Sequence, residues 1–124
     1  MKNMPLQILS VGLDDCSMSL PEHGLFHLKT NSGMGALLVL RDFNPDVVLV
    51  RWVLPDMSAE ALLKRIITTK PSIASIAVID TDNTQQEIAA RSIGAAAVIN
   101  CGVSGQTLYE IIMQLYRHFN VRAG

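Results

Sequence analysis

The chain has 124 residues, of which 49% are hydrophobic. That is the usual size of one domain, and enough apolar material for a continuous core without staples, so a single domain over residues 1–124 is expected. Ten lysine and arginine residues against eleven aspartate and glutamate give a formal charge of −1. No long-range field therefore favours nucleic acid or an anionic membrane, and neither is expected as a partner of the domain by itself. No run approaches the roughly 20 apolar residues of a membrane span, and residues 1–9 lack the pattern of a signal peptide, so the expected location is cytoplasmic.

The first element expected is a strand at residues 6–11, followed by a weaker one at 25–28. Stronger apolar runs follow at 47–50, 76–79 and 95–99, rich in valine, isoleucine or alanine and each too short for a helix of its own. They do not alternate apolar with polar, as expected of parallel strands covered on both faces. Residues 14–24, between the first two strands, have room for a turn or two of helix at most. A short helix from Ser32 to Arg41 is weakened by Gly33 and Gly35. The next starts at Ser58, buries Leu62, Leu63, Ile66 and Ile67, and ends before Lys70-Pro71. Another runs from Asn83 or Thr84 to Ile93, closed by Gly94 in the left-handed conformation. The last, capped by Ser104, carries its apolar stripe at Leu108, Ile111, Ile112, Leu115, Tyr116 and Phe119. Strand and helix alternate, so the order predicts a doubly wound five-stranded parallel sheet in a three-layer sandwich, with the first helix shortened.

Cys16 and Cys101 lie far apart with no CxxC spacing. They are expected as reduced thiols, with no disulfide framework and no zinc site. His23, His27 and His118 share no metal-ligand spacing, so no metal is expected.

The segment Asn44-Pro45-Asp46-Val47-Val48-Leu49-Val50-Arg51-Trp52-Val53-Leu54-Pro55-Asp56-Met57 resembles the middle of receiver domains of two-component response regulators. There the third strand ends on an aspartate and a Leu-Pro-x-Met loop leads into the third helix. The run Ile93-Gly94-Ala95-Ala96-Ala97-Val98-Ile99 is similar to the family's turn into its fifth strand. The resemblance covers nearly the whole chain and is poorest across residues 14–24. It implies a receiver, flavodoxin-like fold and a two-component-type pathway, but it also marks departures. The acceptor position falls on Arg51, which is neither a nucleophile toward phosphate nor a cation ligand. The metal-binding acids fall near Gly12 and Leu13, with Asp14 and Asp15 displaced by a residue or two. The hydroxyl position falls on Asp80, beside Thr81. The family's lysine, proline and aromatic switch fall on Cys101, Gly102 and Val98.

The expected reading is a pseudo-receiver: a degenerate phosphorylation pocket of Asp14, Asp15, Arg51, Asp80 and Cys101, with no catalytic residue, cofactor or metal. Doubly wound sheets gather binding groups at the carboxyl ends of their strands, so Arg51 is expected to pair there with Asp80 or Asp14. A protein partner (a kinase, regulator or output domain) is expected, and a homodimer is compatible with the sequence. In receivers the fourth helix, fifth strand and fifth helix meet partners. Carried onto this chain, that face runs over 84–91, from Thr84 to Arg91, and 107–117, from Thr107 to Arg117. Trp52, just past a strand end, is a further candidate contact, and Asp56 is read either as a contact or as a turn residue or helix-start acid. Two other functions rank lower: an anion sensor using Arg51, and an enzyme of unrelated chemistry, for which no phosphate loop or nucleophile-base pair is present. A redox role for Cys101 beside a guanidinium ranks below the reading of a small buried hydrophobe.

Overall fold

A computed structural model describes residues 6–14, 16 and 25–123, and the side chains of these up to residue 118. The expected short helix within residues 14–24 lies almost wholly outside the described residues. Strands β1 (Leu6–Val11), β2 (Leu25–Thr30), β3 (Val47–Arg51), β4 (Ala74–Ile79) and β5 (Ala97–Asn100) form one parallel sheet in the order β2-β1-β3-β4-β5. Helices α1 (Gly33–Asp42), α2 (Ala59–Thr69), α3 (Thr84–Ser92) and α4 (Gly105–Ala123) complete the described elements. The expected doubly wound, three-layer arrangement is the observed one.

Each helix begins where a side-chain oxygen satisfies a free backbone N–H. Ser32 accepts from the Gly35 amide at 3.0 Å, Ser58 from Ala61 at 2.9 Å, Asn83 from Gln86 at 3.0 Å and Ser104 from Thr107 at 3.1 Å. Gly94 closes α3 with φ +96, the left-handed geometry that a residue without Cβ adopts freely.

The period of two along each strand sorts the core into two layers. Leu9, Val11, Val48, Val50 and Ala77 face α1, α2 and α3, where they meet Ala36, Leu40, Leu62, Leu63, Ile66 and Ala90. Leu6, Ile8, Val47, Leu49, Ile76, Val78 and Ile99 face the opposite way, packed with Leu108 and Ile112 of α4. Every residue of β4 is buried, so no polar-apolar alternation is visible in it. The same parity aims the next side chains on the α4 face, Arg51 after Leu49 and Ile99's second neighbour Cys101, at one place beyond the strand ends.

Candidate functional site at the carboxyl edge of the sheet

Arg51 closes β3 in register with Val78, and Asp80 lies two residues beyond Val78, immediately after β4. The Arg51 guanidinium donates from Nη2 to Asp80 Oδ1 at 3.0 Å. The arginine side chain is only 14% exposed and the aspartate 46%, so the pair lies half out of water with its cationic end sheltered. Asp80 is held from its other side by α3: its amide donates to Gln86 Oε1 at 2.9 Å, and Gln86 Nε2 donates to Asp80 Oδ2 at 3.4 Å. The pairing expected of Arg51 is thus present, with Asp80 as the partner. Asp14 is exposed in a turn beyond β1, and Asp15 lies outside the described residues.

The reading of reduced thiols is wrong. Cys16 and Cys101 form a disulfide across 85 residues of sequence, with Cα atoms 5.5 Å apart. The sequence spacing conceals it because the pair is made by topology. Cys101 leaves β5, where its amide is anchored to the Ile79 carbonyl at 2.9 Å, and Cys16 comes from the segment beyond β1. Between them in the sheet stand β3 and β4, and both sulfurs reach the Arg51 guanidinium at the β3 end. Arg51 Nη1 donates toward both sulfurs, at 3.0 Å to Cys16 and 3.3 Å to Cys101. One guanidinium therefore spans a carboxylate and a disulfide. Cys16 is the residue that sequence reasoning left out of the site; its only signal was that both cysteines follow carboxyl-edge strand ends.

Glycine and loop packing fix the surroundings. Gly12 has φ +75, and a Cβ there would come 2.8 Å from Leu54 Cδ2 and 3.3 Å from Arg51 Cβ. The loop over residues 53–57 folds back on α1. Met57 lies where any side chain at Gly33 would have to go, and Asp56 accepts from the Gly33 amide at 2.8 Å and the Met34 amide at 2.9 Å. These two backbone donors hold the Asp56 carboxyl below its ordinary range. Asp56 is thus a helix-start acid for α1, the helix before it in sequence, rather than for α2. Thr81 is exposed, next to Asp82 at φ 60, and Asp80 is the residue that faces the arginine.

The candidate contact residues are spread more widely. Trp52 is partly buried against the α1–α3 core layer, with its amide donating to the Val78 carbonyl at 2.8 Å. Thr84 begins α3, and Arg91 in its last turn pairs with Glu87 at 3.1 Å. Thr107 and Arg117 are exposed on α4. Among the described residues no group of three or more His, Cys, Asp or Glu side chains is placed to hold a metal ion. No described helix is long and apolar enough to cross a membrane.

Comparison with solved structures identifies the fold. A response regulator receiver domain (CheY-like) from Methanospirillum hungatei JF-1 superimposes with a TM-score of 0.83 at 19% identity, over 95% of this chain and 98% of that one. The signal receiver domain of an HD domain-containing protein from Pseudomonas fluorescens Pf-5 gives 0.84 at 20% identity, over 99% and 94%. The chain has the receiver fold. NtrX from Brucella abortus, solved in complex with ADP, matches with a TM-score of 0.85 at 18% identity over 97% of this chain, which spans only 29% of NtrX. No protein-family model matches the chain, and no curated protein does. At these identities the fold is shared while the pocket chemistry has to be read from this chain's own side chains.

Proposed function

We propose that the domain is a receiver-like signalling module that works by protein–protein interaction without being phosphorylated, in a two-component-type pathway, and that it is not an enzyme. The single observation behind this reading is the occupant of the β3 end. Arg51 stands where the receiver resemblance puts the acceptor carboxylate, and its guanidinium is committed to Asp80 and the two sulfurs. A guanidinium has no lone pair to attack phosphorus, and its positive charge opposes a divalent cation. The alternative of an anion sensor is less well supported, because Arg51 is largely sheltered and already faces a carboxylate that an incoming anion would have to displace.

The partner surface in this reading is the exposed side of α3, β5 and α4, including Thr84, Arg91, Thr107 and Arg117, and the partner is a kinase, regulator or output domain. Proteins captured from host extract by the wild-type domain would be compared with those captured by Arg91→Glu combined with Arg117→Glu. The reading expects one signalling partner to be captured by wild type, with or without a phosphodonor, and lost with the double variant. Capture that requires acetyl phosphate would overturn it.

A further inference from the structure

We infer that the Cys16–Cys101 disulfide is a reversible thiol–disulfide exchange site tuned by Arg51, whose co-reactant is a thiol or dithiol of the glutathione or redox-protein class. The inference does not depend on the partner reading above. It rests on the placing of one cation against both sulfurs. A disulfide sulfur is a weak hydrogen-bond acceptor and carries no charge, whereas a thiolate is a strong acceptor and an anion. The contacts at 3.0 and 3.3 Å from Arg51 Nη1 are therefore worth more after the bond opens than before. A nearby arginine stabilises the thiolate and so favours the reduced state. A disulfide serving only as a staple gains nothing from such a neighbour. Neither cysteine is fully buried.

The chemistry balances in two steps. An external thiolate attacks one sulfur of the pair, forming a mixed disulfide and releasing the other cysteine as a thiolate beside the guanidinium. A second external thiolate attacks the external sulfur of the mixed disulfide, releasing the second protein thiolate and leaving the external disulfide. The protein gains two electrons and, on neutralisation, two protons, while two external thiols are oxidised. Asp80 works against the arginine, since its carboxylate shares the guanidinium through Nη2 and repels a thiolate. The two residues therefore shift the equilibrium in opposite directions.

The test equilibrates the folded, oxidised chain in glutathione buffers of graded ratio. Free thiols are then trapped by alkylation and counted by intact mass, with circular dichroism confirming the native fold throughout. Wild type is expected to pass from no free thiols to two in one two-electron step while folded. Arg51→Gln is expected to shift the equilibrium constant about tenfold toward the disulfide, equivalent to about 30 mV. Asp80→Asn is expected to shift it several-fold toward the dithiol, and because it leaves the arginine in place it keeps the test decisive if Arg51→Gln fails to fold. The inference is overturned by an Asp80→Asn curve lying on wild type, by a bond that opens only with unfolding, or by two free thiols in every buffer.

Discussion

The interior of the sheet and its carboxyl edge are built on opposite principles. Inside, β3 and β4 are buried almost end to end, and their stability comes from apolar area removed from water on both faces. At the edge, a few angstroms further along the same strands, an arginine, an aspartate and two sulfurs meet among partly exposed loops. Interior side chains are interchangeable so long as volume is kept, whereas those at the edge act through particular atoms. Substitutions inside should cost stability and leave the edge chemistry alone, while substitutions at the edge should do the reverse.

The largest effect expected is from the interior. Leu49 is fully buried, so Leu49→Ala should destabilise the fold by about 3 kcal/mol through lost transfer energy and the cavity left behind. Denaturant unfolding measures this, and a loss below that of Arg51→Ala would break the contrast. At the edge, Arg51→Ala should cost only about 1 kcal/mol, because Asp80 is exposed enough to recover hydration when its partner is removed. A loss as large as that of Leu49→Ala would show the edge to be part of the core.

A pH dependence sharpens the comparison from another side of the sheet. His27 of β2 contacts the buried Ser10 hydroxyl through Nε2, and burial, reinforced by the charge of Lys29, holds its pKa below the ordinary value. The unfolded chain thus takes up a proton more readily than the folded one. The stability His27 contributes is present above about pH 6.5, the usual histidine value, and falls away as pH drops below it. Unfolding measured between pH 7 and pH 5 should show this decline, and His27→Gln should flatten it. The smallest effect is expected at Asp56. Its pKa is depressed by the Met34 and Gly33 amides, so its contribution is present near neutral pH and is lost as pH falls through its lowered folded value. Asp56→Asn should speed hydrogen exchange at those two amides while leaving exchange in β3 unchanged.

The interior was legible in the sequence for the same reason that it is robust. Short valine- and isoleucine-rich runs and three- and four-residue helical steps report burial directly, and the observed strands differ from the expected ones only by short extensions or shifts of one or two residues at their ends. The β3 end was legible because its neighbours, Asn44-Pro45 before and Leu54-Pro55 after, carry a recognisable frame around Arg51. Pairing of Arg51 followed from the convergence of parallel strand ends. The disulfide did not follow, because it depends on where residues beyond β1 cross the edge, and local pattern holds no record of a contact made 85 residues away. Asp56 is a related case: the sequence places it just before α2, and the fold brings its carboxylate to the Gly33 and Met34 amides at the start of α1.

The central proposal is that the β3 end of this receiver fold does not take up a phosphoryl group, and intact mass tests it most directly. The chain is incubated with acetyl phosphate and Mg²⁺, in its oxidised form and again after reduction, alongside the Arg51→Asp variant. The account predicts unchanged mass for all three, since in the proposed reading Arg51→Asp supplies the carboxylate without the lysine, whose position the receiver resemblance puts at Cys101, or the metal-binding acids in register. A stable gain of one phosphoryl group on the wild-type chain would contradict it.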